Sequence, residues 1–229
     1  MKRWKKVVII IVSALVALVL IGTLVLGVVG YFGPFRDLAV MRIQFTYRNS
    51  QQGGIIFYGA SNFALWPDMK EDMEPFTVQN HGFGGSADDD LMRHAGRLLY
   101  PFRPSVVVFQ SGSNDFVLGM TAEDILANKD KMYTMFRKEL PDTTFVVLSM
   151  LPLPERTEYW EDSIKVNEYL REYCDTHANM LFVDATDIML SADGKPRPDL
   201  FKNDGIHLNR EGQILWGALI KQALVSVVN

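Results

Sequence analysis

Ile55-Ile56-Phe57-Tyr58-Gly59-Ala60-Ser61 is the stretch on which the fold turns. Four large apolar residues in an unbroken row fit a strand covered on both faces. A glycine, a small alanine and a serine then end it abruptly. Asn62 and Phe63 begin a helical segment, so Ser61 stands where strand gives way to helix. Outward from here the pattern repeats. Phe76-Thr77-Val78-Gln79 is a weaker strand candidate, while Val106-Val107-Val108-Phe109, Phe145-Val146-Val147-Leu148 and Leu181-Phe182-Val183 are stronger. Segments 88–100, 122–140, 162–178 and 209–227 are long enough for helices. Leu91, Leu98 and Leu99 give the first of these an inner face; Ile164, Val166, Tyr169, Leu170 and Tyr173 give the third a broader one. Strand runs alternating with helices predict a three-layer α/β domain, a doubly wound, flavodoxin-like, five-stranded parallel sheet. Ligands of such sheets bind beyond the carboxyl ends of the strands.

A serine at a strand–helix junction is ordinarily only a cap, so Ser61 carries chemistry only if other segments bring it partners. Asn80-His81-Gly82-Phe83-Gly84-Gly85-Ser86 follows the second strand, and its glycines mark a turn whose backbone approaches something closely. It lacks the Lys-Ser/Thr of a phosphate loop and the spacing of a dinucleotide fingerprint. Gly112-Ser113-Asn114-Asp115 follows the third strand and offers a carboxamide donor at the same sheet edge. Near the end stands Asp204-Gly205-Ile206-His207. In a tight turn the Asp204 carboxylate can orient the His207 imidazole, and the imidazole can take a proton from a hydroxyl. A serine needs such a base, because at its own pKa it is a weak nucleophile.

In this order the four segments resemble the SGNH (GDSL-like) hydrolase superfamily, over essentially the whole of 54–229. Gly59-Ala60-Ser61 matches the Gly-Asp-Ser block of the nucleophile, and Asp204 with His207 matches the closing Asp-x-x-His. The resemblance implies a Ser61–His207–Asp204 triad. It also implies an oxyanion hole built from the backbone N–H groups of Ser61 and Gly85 and the side-chain amide of Asn114. The glycine and Gly-x-Asn blocks look most like the branch that includes platelet-activating-factor acetylhydrolase catalytic subunits. Ala60 departs from the pattern, which has Asp there. That carboxylate is not a triad member, so its loss bears on the nucleophile turn, rate and substrate preference rather than on the chemistry itself. The implied activity is a serine esterase acting on acyl or acetyl esters, surface glycans or lipid-derived, without metal or organic cofactor. Transfer of the acyl group to a cell-envelope polymer would use the same acyl-enzyme. A non-catalytic binding domain is the reading that Ala60 alone would favour.

The 229 residues divide unevenly. Lys2, Arg3, Lys5 and Lys6 precede residues 7–35, which hold no charge. About 26 helical residues reach about 39 Å, more than the ~30 Å hydrocarbon core. The expected organisation is a cytoplasmic tail at 1–6, a single transmembrane helix at 7–32, a connector at 33–53 and the hydrolase domain at 54–229. The basic cluster places the N-terminus in the cytoplasm and the domain outside the cell membrane, facing an ester substrate at the envelope. A cleaved signal peptide would have a shorter apolar region. Net charge is −4 with Lys and Arg scattered, which argues against a nucleic-acid surface. The lone Cys174 gives no disulfide framework and is expected to be buried. Nothing here fixes the oligomeric state. Ser86 is expected to cap the helix at 88, with Asp88, Asp89 and Asp90 offsetting its dipole rather than binding a metal. His81, His94 and His177 are expected to be structural or solvated. Trp66, Phe116 and Trp160 are candidates for an acyl or alcohol pocket.

Overall fold

A computed structural model describes residues 34–228, together with Val12, Leu15, Val16 and Gly22. Five strands, β1 (Ile55–Gly59), β2 (Val78–Asn80), β3 (Val106–Gln110), β4 (Thr144–Leu148) and β5 (Met180–Val183), form one sheet in the order β2-β1-β3-β4-β5. Every pairing is parallel. The helices are α1 (Pro34–Tyr47), α2 (Ser61–Ala64), α3 (Met69–Asp72), α4 (Asp88–Leu98), α5 (Ser113–Val117), α6 (Ala122–Glu139), α7 (Trp160–Thr176), α8 (Thr186–Met189) and α9 (Arg210–Val227).

Side chains alternate across the strands and feed two cores. Ile56, Tyr58, Val107, Phe109, Phe145 and Val147 pack with residues of α1, α4, α6 and α7 on one face. Ile55, Phe57, Val106, Val108, Val146 and Leu148 pack with α2, α3, α8 and α9 on the other. Burial on both faces is why these strands read as continuous apolar runs. The strand order reverses direction between β1 and β3, and the crevice at their carboxyl ends is the switch point where such sheets bind ligands.

Two expectations change. The segment expected as a connector contains α1, whose Val40 and Ile43 are buried against the core beside α4. Arg97 on α4 donates to Gln44 Oε1 at 3.1 and 2.8 Å, and the backbone N–H of Asn80 donates to Tyr47 Oη at 3.0 Å. This segment is part of the domain. Second, Ser86 does not cap α4. Ala87 is the cap residue, and the Ser86 hydroxyl donates to the Phe83 carbonyl at 3.0 Å. The expected transmembrane helix lies outside the described residues; among those described, no helix is long and apolar enough to cross a membrane.

Candidate active site

Ser61 opens α2 directly after β1, where the sheet stops and the hydroxyl is left half-exposed beyond its carboxyl edge. The turn is closed by Ala64 N–H to the Ala60 carbonyl at 3.2 Å and by Leu65 N–H to the Ser61 carbonyl at 2.8 Å. Ala60 makes no side-chain cap bond, so this turn holds together without the missing carboxylate. Asn80 knits the glycine block onto it: Nδ2 donates to the Phe63 carbonyl at 2.7 Å and Oδ1 accepts from Gly82 N–H at 3.0 Å. A Cβ on Gly82 would lie 2.6 Å from Phe63 Cβ and 2.9 Å from Ala64 N, so only glycine lets this loop lie against α2. Gly85, at φ +68°, then turns the chain into α4 through a conformation that other residues rarely adopt.

The last segment arrives from the opposite end of the sequence. A tight loop is closed by Lys202 N–H to the His207 carbonyl at 2.7 Å and Gly205 N–H to the Lys202 carbonyl at 2.8 Å. Inside it, Asp204 Oδ2 is 2.8 Å from His207 Nδ1, while Asp204 Oδ1 accepts the backbone N–H groups of Ile206 and His207 at 3.0 and 2.9 Å. His207 Nε2 lies 2.9 Å from Ser61 Oγ. Partial desolvation raises the Asp204 pKa, but the bonds from His207 and Ile206 together outweigh it and hold the carboxyl at about 2. The carboxylate is therefore ionised at any neutral pH. That charge favours the tautomer with the proton on Nδ1, which leaves Nε2 as an acceptor for the serine proton.

Asn62 was not singled out from the sequence, yet its Oδ1 accepts Leu208 N–H at 3.1 Å and so ties the histidine loop to the serine turn. Asn114, in the first turn of α5, donates from Nδ2 to the Ser86 carbonyl at 3.0 Å. A carboxamide nitrogen carries two protons, so the second is available to an incoming oxygen. Ser61, Gly85, Asn114 and His207 are all half-exposed, on segments that the structure brings to one sheet edge.

Behind this edge lies a buried ionic cluster that motif reading did not find. Lys129 Nζ on α6 is 2.9 Å from Asp88 Oδ1 and 2.7 Å from Ser111 Oγ, and the serine hydroxyl donates to Asp88 Oδ1 at 2.5 Å. Asp115 accepts Asp88 N–H at 3.1 and 3.3 Å, so the carboxylate beside Asn114 holds the start of α4. Burial and then the neighbouring Asp88 push the Asp115 carboxyl up to about 7, against the opposing pull of Lys129. Asp88, expected only to offset a helix dipole, is thus half of a buried ion pair.

The other candidates sort clearly. Trp66 is a core residue, stacked on Trp216 at 5.7 Å and bonded through Nε1 to Asp72 Oδ2 at 2.7 Å, so it forms no part of a pocket. Phe116 and Trp160 do line a small cleft beside Asn114, with Ser113, Leu153, Arg156 and Tyr159. His81 is buried between Tyr47 and Phe102 and bonds the Leu98 carbonyl at 2.6 Å; burial lowers its pKa to about 4. His94 packs edge-on against Phe83, and His177 stacks on Tyr173. Burial pushes the Cys174 thiol up to about 12, which suits a packing role. Among the described residues no group of three His, Cys, Asp or Glu is placed to hold a metal.

Residues 50–215 match the model of the GDSL-like Lipase/Acylhydrolase family. The chain belongs to that family. It is a serine esterase of the GDSL type. A search of curated proteins finds no match. Among solved structures, a Streptococcus pneumonia protein described by reference to platelet activating factor superposes with TM-score 0.71 at 22% identity, covering 83% of this chain and 94% of its own. A GDSL-like lipase from Bacteroides thetaiotaomicron gives 0.67 at 19%, covering 82% and 98%. The lipase/acylhydrolase from Enterococcus faecalis gives 0.65 at 19%, covering 76% and 96%. At these identities the superpositions speak for the fold, and the family match for the enzyme class.

Proposed function

We propose that Ser61, His207 and Asp204 are the triad of this esterase, and that it acts on acyl or acetyl esters at the cell envelope. One observation carries the reading: a single imidazole bridges Ser61 Oγ at 2.9 Å and the Asp204 carboxylate at 2.8 Å. Ser61 Oγ attacks the ester carbonyl while its proton passes to His207 Nε2. The carbonyl oxygen becomes an oxyanion, received by the N–H groups of Ser61 and Gly85 and the second Nδ2 proton of Asn114. Collapse of the adduct breaks the bond to the alcohol, which leaves with the proton from His207. Water then gives a proton to the same nitrogen and attacks the acyl-enzyme carbonyl; collapse breaks the bond to Ser61 Oγ, which takes that proton back from His207 as the acid leaves. Asp204 stays ionised throughout and stabilises the imidazolium.

The uncharged stretch at 7–35, preceded by Lys2, Arg3, Lys5 and Lys6, supports a membrane anchor at 7–32 and with it an extracytoplasmic site near O-acylated surface glycans or lipid-derived esters. The branch resembling platelet-activating-factor acetylhydrolase rests on the blocks at 80–85 and 112–114.

The test uses the full chain in detergent, a series of p-nitrophenyl acyl esters and a fluorophosphonate probe. The probe should label Ser61, and Ser61→Ala should abolish labelling and lower kcat by about 10⁴–10⁶. A folded, unaltered protein that neither labels at Ser61 nor turns over any ester of the series refutes the reading.

A further inference from the structure

We infer that Arg156 is a positioning residue of the oxyanion-binding amide, fixing which end of Asn114 faces the substrate; this rests on the esterase reading above and extends it. Beyond β4 the chain runs through a short 3-10 turn, Pro154–Tyr159, in which Arg156 leaves helical geometry at φ −141° and ψ 34°. That stretch is pinned at three points. Asn167 on α7 clasps the backbone of Met150, accepting its N–H at 2.7 Å and donating to its carbonyl at 3.1 Å. Arg156 N–H donates to the Leu153 carbonyl at 3.0 Å. Glu155 N–H donates to the Gly205 carbonyl at 3.2 Å, within the loop that carries His207. From this anchored position Arg156 Nη1 donates to Asn114 Oδ1 at 3.2 Å and to the Ser113 carbonyl at 2.8 Å.

The consequence follows from donor and acceptor chemistry. The two ends of a carboxamide are nearly equal in size, and only their partners decide how it sits. With Oδ1 on the guanidinium and Nδ2 on the Ser86 carbonyl, every contact pairs a donor with an acceptor. The flipped amide would set NH₂ against a cation and oxygen against a carbonyl. It would then present an acceptor, rather than a donor, to the developing oxyanion. A cation on Oδ1 also draws charge from the amide and strengthens the N–H that faces the substrate. Arg156 thus acts through Asn114.

A double-mutant cycle tests this on the full chain. Asn114→Ala should lower kcat by about 10²–10³, as loss of one oxyanion donor does. Arg156→Gln should lower kcat about 10- to 100-fold with KM nearly unchanged, because the interaction is realised in the transition state. Arg156→Lys, which keeps a cation, should recover much of that loss. The double variant should be no slower than Asn114→Ala alone, since Arg156 then has no amide to orient. If Arg156 served only to hold the Ser113 carbonyl and the turn, its factor would persist in the Asn114→Ala background. That additivity overturns the inference, as does wild-type kcat in Arg156→Gln. If Arg156→Gln fails to fold, Arg156→Met, which keeps the apolar stem and removes the cation, supplies the same comparison with Asn114→Ala. An unaltered chain that neither turns over ester nor labels at Ser61 refutes the esterase reading and this inference together; ester turnover with additive factors refutes the role of Arg156 alone.

Discussion

At the scale of single residues, the proposed reaction depends on groups held by partners that do no chemistry. Asn62 is one: its side chain accepts the backbone N–H that follows His207. Asn62→Ala should leave that N–H short of an acceptor and loosen the histidine loop. A fall in kcat of about 5- to 30-fold is expected, corresponding to roughly 1–2 kcal/mol for one hydrogen bond. Steady-state kinetics with a fixed ester, showing the loss in kcat rather than KM, would check it. Asp115 gives a pH signature instead. An acid whose folded pKa lies above its unfolded value binds more protons when folded, so stability falls as pH rises between the two. For Asp115 that window runs from about 4, the usual Asp range, to about 7. Urea unfolding should therefore show Asp115→Asn gaining stability relative to the unaltered protein between pH 5 and pH 8. An unchanged difference across that range would exclude the role of burial at this carboxyl. These groups explain what the residues disclosed and what they hid. That Ser61, Asp204 and His207 come together could be expected from sequence, because each lies in a short motif at a strand or loop end. The parts of Asn62, Arg156 and Lys129 could not, because each acts on a segment distant in sequence and lies in no motif.

At the scale of elements, the Lys129–Asp88 pair joins α6 to the start of α4, with Ser111 at the end of β3 as the third member. Both side chains are almost wholly buried, at 1% and 0% exposure. Removing one charge leaves the other without a partner in a dry interior, so Lys129→Met should destabilise the fold by about 3–5 kcal/mol. Lys129→Met with Asp88→Leu should recover much of this, because no lone charge remains. Thermal melting of the single and double variants distinguishes the pair from a surface bridge, for which both effects would be small. The four long helices of the sheet domain and the five strands were placed from sequence within a few residues, since apolar runs and helical spacing are local signals. β2 was the poorest strand, beginning at Val78 rather than Phe76, because its pairing with β1 covers only three residues. The α4 cap was misassigned for a similar reason: Ser86 has the right chemistry, but its hydroxyl turns back to Phe83 while Asp115 arrives from another strand end.

At the scale of the whole molecule, α1 extends the domain towards the N-terminus. Its buried positions, Val40 and Ile43, are interleaved with the exposed apolar residues Leu38, Met41 and Phe45, so no single apolar face marks the segment until its counterface on α4 is known. A chain beginning at Arg48 should consequently melt well below one beginning at Pro34, having lost two buried aliphatic side chains, Tyr47 and the Gln44–Arg97 bonds. Each aliphatic side chain alone contributes roughly 1–3 kcal/mol. Equal melting temperatures would show that α1 adds nothing to the fold. The α/β architecture itself was legible because parallel strands buried on both faces leave an unmistakable run of β-branched residues.

Ser61 and His207 sit 146 residues apart in sequence, one at the exit of β1 and the other just before α9. A polypeptide emerging from the ribosome therefore exposes the hydroxyl long before any imidazole can reach it. On the triad proposed above, ester hydrolysis waits until His207 has been made. A copy that stops short of His207 would carry the hydroxyl without the base of the proposed triad.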